Sequence, residues 1–361
     1  MSASEGTKIQ KIAVYSFQKY DNHFLAPGLL ERLGSPTPGE GDSEDRVKLL
    51  PFQLNVQTAE LARNCEAVCL FVNDIADEAA LTVLASLGVK LVLTRSAGFN
   101  HIDLVCCEKL GMKVMRVPQY SPHAVAEHAV GLLTSLVRRI PRAYNRVREH
   151  NFNLSGLEGF NIHGKVIGVL GTGKIGQITA KILSGFGPSR LLGYDLFPSP
   201  AMQESLGMEY VSVGELVAQC DIISLHLPLL PSTYHLINAD TIQTMKKGVV
   251  IINTSRGGLI DASALEAGLK SGHIGGVGLD VYENEGSFFF NDCSDQILTD
   301  DVLSRLLTFH NVIITAHQAF LTHEALQTIA ETTLANMASF AAGTESPNYC
   351  NVAAQDPAAA K

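Results

Sequence analysis

The sequence predicts an α/β chain of two doubly wound domains, each built on a parallel sheet. Three observations predict it. The chain has 361 residues, more than one ordinary domain needs. Strand-like runs alternate with helical patterns along most of it, and such alternation implies a parallel sheet with helices on its faces. The alternation falls into two blocks, separated by a long helical stretch.

In the first block KIAVYSF (11–17), EAVCLFVN (66–73), VKLVLTRS (89–96) and KVMRVP (113–118) read as strands, and EAALTVLASLG reads as a helix. SPTPGEGDSEDR (35–46) is polar, acidic and rich in turn formers, which predicts an exposed loop. The stretch from Ser121 to Asn151 reads as one long helix, with Ser121 as N-cap and Pro122 in the first turn, where a missing N–H costs nothing. Pro141 is expected to kink or divide it. Its dense small and apolar residues predict packing against more than one surface.

The second block supplies KVIGVLG (165–171), LLGYD (191–195), EYVS (209–212), DIISLHLP (221–228), VVIINTS (249–255), GGVGLDVY (275–282) and NVIITAH (311–317) as strands. A helix follows over 325–343, and an Ala/Pro tail beyond it is expected to be disordered.

Composition excludes several function classes. Hydrophobic residues make up 46% and charged residues 17%, the balance of a globular protein with sizeable cores. A formal net charge of −9 argues against nonspecific nucleic-acid binding, which needs a basic face. No apolar run is long enough to span a membrane, so no membrane partner is expected. The N-terminus, MSASEGTKIQ, shows neither a signal-peptide core nor an Arg-rich transit pattern. A cytoplasmic location is expected, with a mitochondrial or plastid matrix left open for a processed chain. The cysteines at 65, 69, 106, 107, 220, 293 and 350 form no CxxC pair, which fits reduced thiols and predicts neither a disulfide framework nor a metal site.

One motif points to a ligand. Gly171, Gly173 and Gly176 form G-x-G-x-x-G between a strand pattern and a helical pattern, the context in which such a loop cradles a dinucleotide pyrophosphate at a helix N-terminus. Asp195 ends the next strand, 19 residues after Gly176, where a carboxylate binds both ribose hydroxyls. Leu196 and Phe197 follow it, with no cation for a 2′-phosphate. The reading is a Rossmann-like domain that takes NAD rather than NADP.

Ligands of open parallel sheets sit beyond the C-terminal strand ends. Arg256, Glu285 and His317 each stand just past such an end. Alone, each has an ordinary explanation: a surface ion pair, a solvated loop acid, a hydrogen-bonded strand terminus. Together, in one dinucleotide-binding block, they suit reduction of a 2-keto acid. Arg256 offers a fork for the carboxylate and can polarise the carbonyl. An imidazole at position 317, with an ordinary pKa of about 6.5, is a natural proton donor, and Glu285 would orient it. Asp280 reads as a contact on the nicotinamide side rather than a proton carrier.

These residues carry a resemblance. SAGFNHIDL, RVPQYSPHAVAEHAVGLL, GKVIGVLGTGKIG, INTSRGGLID, GLDVYENE and AHQAFLT resemble the NAD-dependent D-2-hydroxyacid dehydrogenases over roughly residues 11–345, and SAGFN, YENE and HQAFLT narrow the match to the branch that interconverts pyruvate and D-lactate. The resemblance implies a nucleotide domain, 119–318, inserted into a discontinuous substrate domain, 1–118 and 319–361. It implies that backbone N–H groups around Ala97 and Gly98 hold the substrate carboxylate, and that Tyr120 and Phe320 shape the pocket. It assigns Lys174, Ile175, Leu227, Pro228, Thr233, Thr254, Arg256 and Asp280 to the cofactor site. It implies dimerisation through the long helix from Ser121, so a homodimer is expected, with a tetramer as the larger alternative. PSR (188–190) departs from the pattern before LLGYD and could alter the cofactor edge. Two other readings compete: a reductase of glyoxylate, hydroxypyruvate or a larger 2-keto acid, and an NAD-sensing corepressor of the same fold that binds peptides.

Overall fold

A computed structural model of the chain describes residues 8–34 and 46–352. In chain order the first elements are β1 (Ile12–Val14), α1 (Asp21–Leu33), β2 (Val47–Leu49), β3 (Ala67–Leu70), α2 (Glu78–Ser86), β4 (Leu91–Thr94), α3 (Leu104–Lys109) and β5 (Lys113–Arg116). There follow α4 (Pro122–Val137), α5 (Ile140–Arg148), β6 (Val166–Leu170), α6 (Lys174–Ser184), β7 (Arg190–Tyr194), α7 (Pro200–Leu206), β8 (Glu209–Tyr210), α8 (Val213–Gln219) and β9 (Ile222–Leu225). The last are α9 (Ala239–Thr244), β10 (Val249–Asn253), α10 (Ala262–Lys270), β11 (Ile274–Leu279), α11 (Asp301–Leu306), β12 (Val312–Ile314), α12 (His323–Ala341) and β13 (Tyr349–Cys350). They form two compact units, Met1–Ser121 with Thr322–Lys361, and Pro122–Leu321.

The first unit holds a six-stranded sheet in the order β13-β5-β4-β3-β1-β2, parallel except where β13 pairs antiparallel with β5. Alternate strand residues feed separate cores. Ile12, Val14, Leu91 and Leu93 face Leu25, Leu29 and Met337 of α1 and α12, while Ala13, Val68 and Val92 face Leu81, Leu84 and Cys107 of α2 and α3. Both sheet faces are therefore covered, as parallel sheets require. Asp77, Asp103 and Thr322 cap α2, α3 and α12.

The second unit holds a seven-stranded, all-parallel sheet in the order β12-β11-β10-β9-β6-β7-β8. The order reverses between β6 and β9, so the crevice for a ligand opens beyond the C-terminal end of β6. The fold class is as the sequence predicts.

The sequence reading missed two short strands, and it left open whether Pro141 kinks or divides the long helix. The long helix is two: α4 ends at Val137, Arg139 turns left-handed at φ 56°, and Pro141 sits in the first turn of α5. A proline cannot donate to, and clashes with, the carbonyl four residues earlier, so the break falls ahead of it. The dense face of α4 does meet several partners: Leu132, Leu133 and Leu136 share a core with Ala180 and Leu183 of α6 and with Val250 and Ile252 of β10. The tail is ordered as far as Val352, because β13 finds the free edge of β5; two residues are too few to announce a strand in sequence. The same brevity hid β2. Of the loop expected at 35–46 only Arg46 is among the described residues, and 353–361 lie outside them.

Candidate active site

The C-terminal strand ends of β10, β11 and β12 are neighbours in one sheet, with Asn253 in register with Leu279 and Leu279 with Ile314. Arg256, Glu285 and His317 each follow one of these ends. The structure joins two of them directly: His317 Nδ1 lies 2.7 Å from Glu285 Oε1. The carboxylate only accepts, so Nδ1 is the donor and Nε2 is the nitrogen left to exchange a proton. Glu285 is itself fixed, since its Oε2 accepts from Tyr282 N at 2.9 Å. The Phe290 ring lies 5.8 Å from the His317 ring.

His317 is held at φ 51°, a left-handed conformation that costs a β-carbon residue free energy. Asp280 offsets that cost. Its backbone oxygen accepts from His317 N at 2.7 Å, and its carboxylate accepts from Gln318 N and Ala319 N, both at 2.8 Å. Thr315 Oγ1 donates to it at 2.6 Å, and His128 of α4 lies 3.4 Å away. Burial alone would raise the Asp280 carboxyl, but bonds from His128, Thr315, Ala319 and Gln318 outweigh it and hold the group below the ordinary carboxylate value. Asp280 thus pins three successive N–H groups of the His317 turn, a role that sequence reasoning missed. His128 was missed too, although AEHAVGLL was a recognised motif.

Arg256 has no carboxylate within ion-pair distance among the described residues. One of its nitrogens, Nη1, donates to Ser255 O at 2.7 Å. The buried Asn253 shapes this loop from both sides, donating to Arg256 O at 2.9 Å and accepting from Ser255 N at 3.0 Å.

The glycine loop follows β6 as anticipated. Gly171 has φ 93°, and a β-carbon there would lie 2.7 Å from the His226 carbonyl. At Gly176 one would lie 1.9 Å from Gly171 O. Space opposite Gly173 is open, with no atom within 4 Å of an added β-carbon. Gly173 caps α6, whose first residues are Lys174 and Ile175. Asp195 is drawn onto this loop: Thr172 N donates to Oδ2 at 2.6 Å and Phe197 N to Oδ1 at 2.9 Å. Each oxygen keeps capacity for a ribose hydroxyl. Tyr210 OH donates to Thr172 Oγ1 at 2.9 Å, steadying the same corner. Arg190, from the PSR stretch, stands at the opposite end of β7 from Asp195, tied to Glu209 at 2.7 Å.

Leu227 is buried and Pro228 exposed after β9, and Thr233 Oγ1 closes their turn by donating to Pro228 O at 2.7 Å. Burial pushes the neighbouring His226 imidazole down to about 4, so it is neutral. The Thr254 hydroxyl is buried with no hydrogen-bond partner among the described residues. An unpaired buried hydroxyl and an open glycine cradle fit an NAD molecule lying along this edge. Phe320 is buried at the turn after His317. In the other unit Ala97, Gly98 and Tyr120 are partly buried, the first two on the turn after β4 and Tyr120 after β5. No group of three or more potential metal ligands occurs among the described residues.

Comparison with known proteins gives this geometry a family. Residues 130–319 match the family model described as D-isomer specific 2-hydroxyacid dehydrogenase, NAD binding domain. D-lactate dehydrogenase of Escherichia coli (strain K12) is 48% identical over 94% of this chain and 99% of its own. A solved structure reported with the identification of the pyruvate reductase of Chlamydomonas reinhardtii is 45% identical, with TM-score 0.86 over 96% of this chain and 100% of its own. D-lactate dehydrogenase from Aquifex aeolicus, complexed with NAD and lactic acid, is 33% identical, with TM-score 0.79 over 92% and 96%. The chain belongs to the D-isomer specific 2-hydroxyacid dehydrogenase family.

Proposed function

We propose that this chain is an NAD-dependent D-lactate dehydrogenase that interconverts pyruvate and D-lactate, with His317 as its acid–base residue. The observation that carries the residue roles is the His317–Glu285 pair at 2.7 Å, standing one strand from an arginine with no carboxylate partner among the described residues. The relatives named above support the substrate. Bound NADH supplies hydride to the carbonyl carbon. His317 Nε2 gives a proton to the carbonyl oxygen in reduction and takes it back in oxidation. Arg256 binds the carboxylate by its guanidinium fork and polarises the carbonyl. The resemblance adds the N–H groups around Ala97 and Gly98 as carboxylate donors, and Tyr120 and Phe320 as residues that select the substrate. Gly171, Gly173, Lys174, Ile175 and Gly176 cradle the pyrophosphate. Asp195 binds the ribose, and Leu227, Pro228, Thr233 and Thr254 line the rest of the cofactor.

Seven free thiols support a reducing compartment, the cytoplasm in the first place. Among the described residues no helix is long and apolar enough to cross a membrane. A homodimer is part of the proposal. Its support is α5, which buries none of its residues and exposes Ile140, Tyr144 and Val147 beside Phe152 and Leu154.

The test is NADH oxidation with pyruvate, glyoxylate, hydroxypyruvate and 2-ketoisocaproate, followed by chiral analysis of the product. Pyruvate should be turned over fastest, to D-lactate, and His317→Gln should lower kcat by about 10²-fold or more. Preference for another keto acid would overturn the substrate. Tight NADH binding without turnover would favour the sensor reading.

A further inference from the structure

The turn after β4 is built to present N–H groups. Among the described residues no acceptor pairs with the N–H of Ala97, Gly98, Phe99 or Asn100. The carbonyls of the same turn are tied inward. Ser96 Oγ donates to Gly98 O at 2.6 Å, and Arg116 Nη1 donates to Ala97 O at 3.0 Å. Ala97 C=O and Gly98 N–H belong to one peptide group, so a cation at the oxygen polarises the N–H and strengthens it as a donor. The Arg116 guanidinium also lies 5.0 Å from the centre of the Phe99 ring, which seats it on the turn from a second side.

Arg116 is itself held by the chain terminus. Its N–H donates to Asn348 O at 3.0 Å, and its carbonyl accepts from Asn336 Nδ2 at 2.8 Å. Asn348 Nδ2 donates to Asn336 Oδ1 at 2.8 Å, closing the set. Asn336 is 2% exposed, and Tyr349 and Cys350 pair with Met115 and Val114. The antiparallel edge strand therefore fixes the backbone from which Arg116 reaches the turn.

We propose that Arg116 is a positioning residue for the substrate carboxylate, acting through the Ala97–Gly98 peptide, and that Asn336 and β13 hold it in place. It rests on the reading that this turn binds the carboxylate of a 2-keto acid. Arg116 does not touch the substrate; it sets the direction and strength of the donors that do.

The test is steady-state kinetics of the full chain with Arg116→Met, Arg116→Lys and Asn336→Ala, alongside inhibition by oxamate, an unreactive analogue of pyruvate. In Arg116→Met, KM for pyruvate and Ki for oxamate should both rise about tenfold, the equivalent of one charge-assisted hydrogen bond. KM for NADH should stay within about twofold, since the change removes no interaction made by the cofactor. Arg116→Lys should restore part of the loss, and Asn336→Ala should reproduce it in weaker form. Equal loss for pyruvate and NADH would make Arg116 merely structural and overturn the proposal, as would an unchanged oxamate Ki. Should Arg116→Met fail to fold, the selective oxamate effect in Asn336→Ala and Arg116→Lys decides. A wild-type protein that turns over no keto acid would instead remove the functional reading beneath the proposal.

Discussion

At the scale of the residue, the site depends on one strained histidine and one buried carboxylate. His317 stands at a positive φ, and three consecutive N–H groups, of residues 317 to 319, end on Asp280. Replacing that carboxylate by an amide sets an NH₂ or a weaker acceptor against donors that cannot move. Asp280→Asn should cost about 3 kcal/mol of stability. Because the Asp280 carboxyl is held below its ordinary value, its contribution is complete above about pH 4 and lost as pH falls through the lower folded-state value. Denaturant titration at several pH values should show the gap between wild type and variant constant near neutrality and closing in acid. A gap that widens in acid would contradict the assignment. None of this was legible in GLDVYENE, where Asp280 reads as a cofactor contact. Its partners on the His317 turn lie between 35 and 39 positions away in sequence, brought close by the pairing of β11 with β12, and His128 comes from α4, farther still along the chain.

At the scale of the element, the glycine loop and the strand ends were readable because their signals are local. A glycine with φ 93° and a run of buried β-branched residues are demands of neighbouring atoms, so the sequence shows them directly. Helix boundaries were less so. Pro141 announced a break, but its place was set by Arg139 turning left-handed two residues earlier. The resulting short helix carries Ile140 at 51%, Tyr144 at 60% and Val147 at 51% exposure, a large apolar surface for a helix that buries none of its residues. Changing Tyr144 and Val147 together to Glu should leave a monomer, with the wild type at twice the chain mass by light scattering. Identical masses for the two would rule out this face as the dimer contact.

At the scale of the whole molecule, two compact units carry separable parts of the proposed chemistry, and ligand linkage should report on the one that binds NAD. NADH at a hundred times its Kd should stabilise the protein by about 2.7 kcal/mol and raise Tm by about 5–10 °C. NADPH at the same concentration should do far less, because Asp195 would meet the 2′-phosphate with a carboxylate and Arg190 is tied to Glu209 at the other end of β7. Equal shifts by thermal denaturation would contradict the role given to Asp195. By itself the sequence determined the α/β class, the order of its strands along the chain apart from the short β2 and β13, the glycine cradle and the three charged residues past strand ends. These follow from patterns spanning a few residues, within the reach of local sterics and hydrophobic periodicity. Only the tertiary structure decided that His317 meets Glu285, that Asp280 braces the histidine turn, and that the last strand holds Arg116 against the turn at Ala97. Those contacts join residues far apart in the chain. Their geometry is set by strand register and by the packing of both sheet faces, which no local pattern encodes.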